Sequence, residues 1–416
     1  MLQLLKFYPV IPAAVLLAAL FPSEAADWPQ FLGPTRNAIS PETNLALAWP
    51  RQGPKTLWEK NIGHGFAGPV VAGGRLILFH RVGDKEVIDC LEAANGTLKW
   101  SADYPTRYRD DFGFDDGPRG TPAIADGKVF TFGAEGVLSC IDFSTGKKIW
   151  SADCKREFGA RKGFFGMACS PLVEGNVVIV NVGGVQGTGI VAFDTSTGKS
   201  VWRAADDEAS YSSPIAATIN GRRLVLVFSR SGLFALDPSG GKMIFQFPWR
   251  SPISASVNAA TPLVINDQLL LSASYDTGAV LLRLGGGTVE KIWSGDDVLS
   301  AHYATPVYRD GFLYGFHGRV DVPPGPSFRC VELKTGKVRW NDDGVGAGTV
   351  ILAGDQLLIM TEKGELLRAA ASRAEFKILD RAQILGVEVR AAPALSDGLF
   401  FARSKSKLVC VDLRKK

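Results

Sequence analysis

Eight segments of this chain repeat one pattern of apolar and polar positions. In each, a small residue, usually followed by Pro, precedes a short alternating apolar strand and then a second apolar strand. The segments begin at Gly68, Thr121, Ser170, Ser213, Thr261, Thr305, Gly348 and Ala392. Their starts are 43 to 53 residues apart, and the units show no helical periodicity. Short strands repeating at this interval are typical of the blades of a β-propeller.

A second motif follows about thirty residues into most units, where a turn containing Gly precedes a large aromatic residue. Gly supplies the positive φ that a tight hairpin needs. The aromatic residue begins the outermost strand, where we expect it to pack between neighbouring blades. The motif ends at Trp100, Trp150, Trp202 and Trp340, and in degenerate form at Phe245 and Trp293. The seventh unit lacks both the turn and the Trp and is the weakest match.

The two ends of the repeat array complement one another. The last unit stops after three strands, at KLVCVDLRKK, and TLWEKNI from Thr56 is an isolated copy of the missing fourth strand. Pairing of Leu57 to Ile62 with the last unit would remove its open sheet edge. The sequence therefore predicts an all-β fold, an eight-bladed β-propeller of four-stranded antiparallel blades over residues 56–416, closed by an N-terminal strand that completes the last blade.

Residues 1–25 have the features of a secretory signal peptide. Lys6 gives a positive start, an apolar run follows, and Ser23-Glu24-Ala25 resembles a small-x-small cleavage site. Cleavage after Ala25 predicts an exported chain, periplasmic or secreted, without a transmembrane segment in its mature form. The alternative is an uncleaved membrane anchor, for which the apolar run is short.

Residues 26–55 lack the rhythm of the repeats and form an N-terminal extension. We expect the extension to lie along the propeller, with Trp28 and Phe31 as packing anchors. The composition, 46% apolar and 21% charged residues, is ordinary for a globular protein. The net charge of +4 comes without a cluster of Lys and Arg interleaved with aromatic residues, so nucleic acid is not an expected partner. Because blades pack on their neighbours, we expect one domain and a monomer.

The six cysteines fall into two groups. Cys90, Cys140, Cys330 and Cys410 occupy the same position of their repeats, which predicts buried free thiols too far apart to be bridged. Cys154 and Cys169 both lie in the connection from the second blade to the third. They are the one pair for which a disulfide remains open.

The connections of a four-stranded blade alternate between two faces. Short, uniform hairpins lead to the outer strands on one face, whereas long and dissimilar connections occupy the other, here called the variable-loop face. Binding on a rigid scaffold is usually found on such loops. Residues just before the first strands should surround the mouth of the central channel. This predicted set is Arg119, Tyr211, Asn258, His302, Tyr303 and Arg390.

The predicted set mixes cations, aromatic hydroxyls, an amide and an imidazole, which suits a small anionic or polar ligand. Each residue also has a structural alternative. Arg119 could brace the adjacent blade, and His302 and Tyr303 could serve in packing or loop hydrogen bonds.

The sequence assigns no catalytic or metal-binding residue. Nucleophile-elbow and phosphate-loop motifs are absent. The acidic loop from Asp110 to Asp116 lacks the regular spacing of a hand-type calcium loop and is read as a solvated loop, with a calcium site left open.

The repeat core, an xP start followed by LxCxD or VAFD and then TGKxxW, resembles the pyrrolo-quinoline-quinone-type propeller repeats over residues 56–416. DWPQFLGP and SPLVEGNVVIVNVGG are similar to stretches of exported quinoprotein-like propellers of planctomycetes and related bacteria. The superfamily includes two better-understood classes. One is the eight-bladed lipoprotein propeller of the outer-membrane-protein assembly machine, a scaffold without a cofactor. The other is the quinone-dependent alcohol dehydrogenases.

Those dehydrogenases carry adjacent disulfide-forming cysteines, a Trp stacked on the quinone, and Glu, Asn and Asp around a calcium ion. This chain has no adjacent cysteines, and most of its Trp residues are blade anchors. We therefore expect a non-catalytic binding or assembly scaffold without a cofactor, whose partners are other envelope proteins or a small polar ligand. The alternative is an oxidoreductase dependent on pyrrolo-quinoline quinone and calcium.

Overall fold

The computed structural model describes residues 26–285 and 288–415. The predicted signal peptide, residues 1–25, lies outside the described residues. Eight four-stranded antiparallel sheets form a closed ring, which confirms the predicted eight-bladed propeller. The described part of the chain contains a single short helix, between the second and third blades.

Two strands precede the repeats, β1 (Ile39–Ser40) and β2 (Lys55–Asn61). Blades one and two, from inner to outer strand, are β3 (Val70–Ala72), β4 (Arg75–Val82), β5 (Lys85–Glu92) and β6 (Leu98–Pro105), then β7 (Ala123–Ala125), β8 (Lys128–Phe132), β9 (Val137–Asp142) and β10 (Lys148–Asp153). Helix α1 (Cys154–Phe158) follows. Blades three and four are β11 (Leu172–Glu174), β12 (Val177–Asn181), β13 (Ile190–Asp194) and β14 (Ser200–Ala204), then β15 (Ile215–Ile219), β16 (Arg222–Phe228), β17 (Gly232–Leu236) and β18 (Met243–Pro248).

Blades five and six are β19 (Leu263–Ile265), β20 (Gln268–Ala273), β21 (Gly278–Gly285) and β22 (Thr288–Gly295), then β23 (Val307–Arg309), β24 (Phe312–His317), β25 (Ser327–Glu332) and β26 (Val338–Asp342). Blade seven is β27 (Gly348–Ala353), β28 (Gln356–Thr361), β29 (Glu365–Ala370) and β30 (Ile378–Gln383). Blade eight contributes β31 (Ala394–Ser396), β32 (Leu399–Arg403) and β33 (Lys407–Asp412). Middle strands such as β12 are buried throughout because each blade is covered on both sides, whereas the outer strand β30 alternates between half-buried and exposed residues.

The N-terminal strand closes the ring as predicted. Strand β2 pairs antiparallel with β33, and Trp58 lies opposite Cys410 in that register. The same register joins Cys90 to Trp100 and Cys140 to Trp150 in other blades. A small residue on the third strand thus faces the large aromatic of the fourth.

The tryptophans of the turn motif join six of the eight blades to the blade that follows. The indole Nε1–H of Trp150 donates to the carbonyl of Thr195 at 3.0 Å, and its ring covers Gly198 of the following turn. A Cβ on Gly198 would lie 2.6 Å from that ring, so the turn needs Gly for space as well as for its φ of 70°. Equivalent indole bonds come from Trp58, Trp100, Trp202, Trp293 and Trp340.

The small residue that begins each unit has a second role in this stitching. At four junctions of the ring the hydroxyl of this residue accepts the backbone N–H of the equivalent residue in the preceding blade, as in Thr121 N–H to Ser170 Oγ at 3.0 Å and Ser170 N–H to Ser213 Oγ at 2.9 Å. These bonds satisfy backbone donors where inner strands crowd around the axis.

The N-terminal extension lies along the propeller on its inner side, against the innermost strands of the blades. Residues 26–46, here called the plug, run inside the central channel against the inner strands. Trp28 exchanges backbone hydrogen bonds with Val71, and β1 pairs parallel with β27. Arg36 donates to the carbonyls of Ser170 and Pro171 at 3.1 and 2.9 Å. The plug therefore touches blades on opposite sides of the ring.

Both ends of the plug lie at the face opposite the variable loops. The Asp27 carboxylate accepts from Gly73 N–H and the Glu42 carboxylate from Gly398 N–H, and both glycines lie in turns between first and second strands. Trp28, expected as an anchor, is 2% exposed. The plug enters and leaves from that face and fills the channel in between.

All six cysteines lie in the described part of the chain, and all are buried free thiols. The disulfide left open for Cys154 and Cys169 is therefore not formed. Both side chains belong to the apolar core between blades two and three, where burial raises the pKa of Cys169 to about 12.

Candidate functional site

A cavity of about 460 Å³ opens at the mouth of the channel on the variable-loop face. Phe31 and Leu32 of the plug are among its lining residues and lie at the axis, so they provide its floor. Its walls come from connections of several blades and are rich in phenyl rings, those of Phe66, Phe112, Phe114, Phe164 and Phe165. We call this cavity the channel-mouth pocket.

Five of the six predicted mouth residues line this pocket: Arg119, Tyr211, His302, Tyr303 and Arg390. Asn258 does not, although its neighbours Val257 and Ala259 do. Its side chain is buried, and its amide donates to the carbonyls of Ser229 and Trp249 at 2.8 and 3.3 Å. Asn258 braces loops of the fourth blade because the register of its connection turns the amide away from the axis.

Arg119 is held within its own connection and by two rings. Its guanidinium donates to the Asp110 carboxylate at 2.9 Å and to the Asp115 carbonyl at 3.2 Å. The guanidinium carbon lies 5.5 and 5.4 Å from the ring centroids of Phe66 and Phe165, within the range of cation–π attraction. Arg119 therefore forms part of an aromatic wall, and its charge is compensated.

Arg390 also lies near the Phe66 ring. Its guanidinium carbon lies 5.8 Å from the Phe66 centroid and 5.5 Å from that of Phe114. Its Nε is 3.3 Å from a Glu362 oxygen, which also accepts the hydroxyl of Tyr303 at 2.6 Å. Burial, followed by the charge of Glu362, raises the pKa of Tyr303 well above its usual value.

A third arginine, which the sequence did not single out, completes the mouth. Arg319 bonds both oxygens of Asp321 and stacks 3.9 Å above the Tyr275 ring. The Tyr275 hydroxyl is 3.0 Å from Nε2 of His302. Burial, helped by the positive charge of Arg319, lowers the pKa of His302 to about 4, so this imidazole is neutral at pH 7. His302 and Tyr303 thus make the loop hydrogen bonds raised as their structural alternative.

The acidic loop folds on itself. The Asp110 carboxylate accepts the backbone N–H groups of Phe112, Phe114 and Asp115 at 3.0 to 3.1 Å, besides Arg119. Burial opposes ionisation of Asp110, but the hydrogen bonds from Asp115 and Phe112 outweigh it and lower its pKa. This carboxylate shapes the loop that presents Phe112 and Phe114.

The variable-loop face also exposes large apolar side chains. Of the fourteen such residues in the described chain, eight lie in or beside its connections. We call these eight the apolar rim: Val82, Phe112, Phe114, Val185, Ile253, Val320, Val322 and Val387, with exposed fractions of 39% to 68%. Phe112, Phe114 and Val320 also line the pocket, so the rim and the pocket are continuous there.

The fold defines an eight-bladed β-propeller with an aromatic pocket at the mouth of its channel. Residues 83–342 match the family model described as outer membrane protein assembly factor BamB. Because this match covers more than half of the chain, the chain belongs to that family.

Proteins with established descriptions are similar over shorter stretches. The quinohemoprotein alcohol dehydrogenase ADH-IIG of Pseudomonas putida is 32% identical over 141 residues, 33% of this chain and 19% of that protein. A dehydrogenase subunit of the quinone-type alcohol dehydrogenase of Komagataeibacter europaeus is 30% identical over 169 residues, 38% of this chain and 21% of its own length. The matched part is thus about a fifth of these relatives.

Solved structures extend the likeness to most of the chain. BamB from Moraxella catarrhalis aligns with a TM-score of 0.63 and 16% identity, covering 87% of this chain and 98% of that one. The quinohemoprotein alcohol dehydrogenase ADHIIG from Pseudomonas putida aligns with a TM-score of 0.54 and 14% identity, covering 93% and 80%. At these identities the likeness shows the fold alone. No helix among the described residues is long and apolar enough to cross a membrane.

The family resemblance raises the question of a quinone held beside a calcium ion, and the mouth does not supply that donor set. Among the described residues that line the pocket, Asp321 is the one carboxylate, and its oxygens already bond Arg319. None of these lining residues is a Trp. Elsewhere in residues 26–285 and 288–415, His, Cys, Asp and Glu form no group of three or more that could hold a metal ion. Calcium takes six to eight oxygen ligands, which these residues do not provide.

Proposed function

We propose that this chain is an exported, non-catalytic binding scaffold of the cell envelope, which docks a polypeptide partner on its variable-loop face. The observation that carries the proposal is the apolar rim around an aromatic pocket. Contiguous exposed apolar surface usually marks an interaction site. Here the rim is continuous with the pocket at Phe112, Phe114 and Val320, on the one face whose loops differ from blade to blade.

The pocket supplies the anchor point for such a partner. Interfaces take most of their binding free energy from a few aromatic or arginine anchors in desolvated pockets. The plug fills the channel below, so an occupant enters from the variable-loop face and stops at Phe31 and Leu32. Arginine–carboxylate pairing compensates the charges of the wall, which favours an apolar side chain over a free ion.

The family supports a partner that is a protein. The family description is outer membrane protein assembly factor, and the BamB structure covers nearly its whole length on this chain. An unfolded outer-membrane β-strand alternates apolar and polar residues and carries aromatic residues near its ends. Such a segment offers side chains suited to both the rim and the pocket.

The test measures binding of a fluorescently labelled, urea-unfolded outer-membrane β-barrel protein by anisotropy after dilution of the denaturant. The double variant Phe112→Ser with Phe114→Ser should weaken binding at least about tenfold, because each phenyl ring contributes about 1.5–3 kcal/mol when fully buried. The matched control is Leu98→Ser with Ile149→Ser, which removes apolar residues of similar exposure, 48% and 44%, from outer strands. Equal losses in both double variants, or none in the first, would contradict the proposal.

A second candidate, a quinone-dependent oxidoreductase, is favoured by the 32% identity to a quinohemoprotein alcohol dehydrogenase. Its test is dye reduction by the purified protein with pyrrolo-quinoline quinone, calcium and simple alcohols or sugars. We expect no turnover above the protein-free control. Calcium-dependent turnover that saturates with the quinone would replace the scaffold function with this one.

A further inference from the structure

We infer that the channel-mouth pocket binds the free C-terminus of a polypeptide whose last side chain is apolar, with the terminal carboxylate on Arg390 and the side chain between the phenyl walls. This inference rests on the proposed docking of a polypeptide and names the part of the partner that enters the pocket.

The argument begins with the donors of Arg390. The guanidinium uses its Nε toward Glu362, while neither terminal nitrogen, Nη1 or Nη2, has a hydrogen bond to any described residue. The side chain is 31% exposed and lines the pocket. The two parallel N–H groups of these nitrogens match the two oxygens of a carboxylate, the geometry that makes arginine selective for this group.

The other two arginines of the mouth are already engaged. Arg319 gives two donors to Asp321, and Arg119 gives one to Asp110 and one to a carbonyl. Three arginine–carboxylate pairs leave the mouth close to neutral, which favours one monoanion over a doubly charged phosphate. Of the three arginines, Arg390 therefore offers a carboxylate the most favourable hydrogen bonds.

The phenyl rings near Arg390 indicate that the group next to that carboxylate is apolar. Phe66 and Phe114 flank the guanidinium, and Phe165 lies against Phe112 and Phe114, with centroids 5.3 and 6.0 Å apart. An apolar body beside the carboxylate buries surface against these rings. Thr349 also lines the pocket, and its buried hydroxyl has no partner among the described residues, so we assign it as the second donor to the carboxylate.

The cavity of about 460 Å³ suits one large side chain with its terminal backbone atoms, whereas the rest of the chain would pass over the rim. A free aromatic acid also carries a carboxylate beside an apolar ring. The experiment therefore distinguishes a small acid from the C-terminus of a polypeptide.

The test uses short, N-terminally labelled Gly/Ser peptides that end in Phe, with either a free carboxylate or a C-terminal amide, and measures anisotropy against the full-length protein. The free acid should bind about ten- to a hundredfold more tightly than the amide, the loss expected for one charge-assisted contact. Arg390→Gln should abolish that difference, Arg390→Lys should restore part of it, and Thr349→Val should reduce it. Arg339→Gln, on an exposed outer strand, removes the same charge and should leave it unchanged.

Each outcome decides between the inference and the proposed function. Equal binding of acid and amide that is lost in the Phe112→Ser, Phe114→Ser variant overturns the carboxylate site and leaves the polypeptide scaffold standing. Binding of N-acetylphenylalanine without binding of either peptide assigns the pocket to a small acid and contradicts the scaffold. Binding of none of these probes overturns the carboxylate site, whereas the polypeptide scaffold is overturned only if the unfolded β-barrel protein also fails to bind.

Discussion

The closure of the ring depends on a buried arginine whose contribution can be worked out from its contacts. Arg403, at the end of β32, is 0% exposed and has no carboxylate partner among the described residues. Its guanidinium donates to the carbonyls of Gly63 at 2.8 Å, Ser404 at 3.1 Å and Phe79 at 3.3 Å. Two of these carbonyls belong to the segment that leads into blade one and to that blade, so Arg403 joins the last blade to the first.

Two effects of opposite sign set the size of the expected change. Burial lowers the pKa of Arg403 from its usual 12.5 to about 10, which corresponds to about 3 kcal/mol against the charged form. The guanidinium also donates to the Lys405 carbonyl at 3.4 Å. Its three shorter hydrogen bonds, from a charged donor, contribute roughly 1.5–3 kcal/mol each. The bonds outweigh the burial, and Arg403→Met should lower the free energy of unfolding by about 2–5 kcal/mol. That variant keeps the apolar volume but leaves the carbonyls without a donor.

The assay is urea unfolding followed by tryptophan fluorescence and by circular dichroism. Arg403→Lys should lie between wild type and Arg403→Met, because its donors share one nitrogen and cannot span the carbonyls that Arg403 reaches from Nε, Nη1 and Nη2. Arg339→Met, exposed on the outer strand β26, is the control and should change stability by less than about 0.5 kcal/mol. A change for Arg403→Met as small as that of the control would refute the view that this guanidinium holds the ends of the ring together.

Three further predictions concern the closure of the ring, the lowered pKa of His302 and the burial of Cys154 and Cys169. Deletion of residues 55–61 should expose an edge strand and cause aggregation measurable by light scattering, and an unchanged monomer on gel filtration would contradict the pairing of β2 with β33. The folded-state pKa of His302 is about 4 against 6.5 when unfolded, so the unfolded chain binds more protons between these values and stability falls as pH drops from about 6.5 to about 4. Urea unfolding at pH 7 and 4.5 should show a smaller pH effect for His302→Gln than for wild type, and equal effects would refute the assignment. Cys154 and Cys169 should react with iodoacetamide only after unfolding, and their failure to react in unreduced, denatured protein would reveal a disulfide.

The blade count and the closure could be predicted because their determinants are local. Each blade repeats a strand, a hairpin and an aromatic within one unit, and the Trp58 strand carries the same motif as its counterparts. The positions of Cys90 and Trp100 in neighbouring strands then follow from the register of one hairpin. Even the seventh blade, which lacks the motif, forms its outer strand, with Phe376 packed 5.3 Å from the Trp340 ring.

The plug could not be predicted because its position is set by contacts distant in sequence. Residues 26–46 have no strand period, and their partners lie in blades one, two, three, seven and eight. Leu32, Arg36 and Ala38 have φ values of 54° to 60°, which residues other than Gly seldom adopt. The surrounding blades hold the backbone in this conformation. The conformation therefore cannot be inferred from the sequence of the segment alone. The sequence gives one indication that this segment is buried, which is the presence of two large residues, Trp28 and Arg36, among turn formers.

The sequence predicts only some of the residues at the channel mouth, for a related reason. Position just before an inner strand predicts closeness to the axis, and Arg119, Tyr211 and Arg390 line the pocket there. It does not predict the direction of a side chain, and the Asn258 amide bonds loops of the fourth blade instead. Arg319 was missed because it lies in a turn between second and third strands, and only tertiary packing folds that turn over the pocket.

The arginines of the mouth also change the ligand expected from the sequence. Counted as charges, Arg119, Arg319 and Arg390 indicate an anion site. In the structure each guanidinium lies over an aromatic ring and pairs with a carboxylate, so its flat face extends an apolar wall while its charge is largely cancelled. Arg390 keeps two terminal nitrogens without a partner among the described residues, and Thr349 keeps a hydroxyl. A ligand that satisfies this mouth is therefore apolar over most of its surface and carries its negative charge at one end.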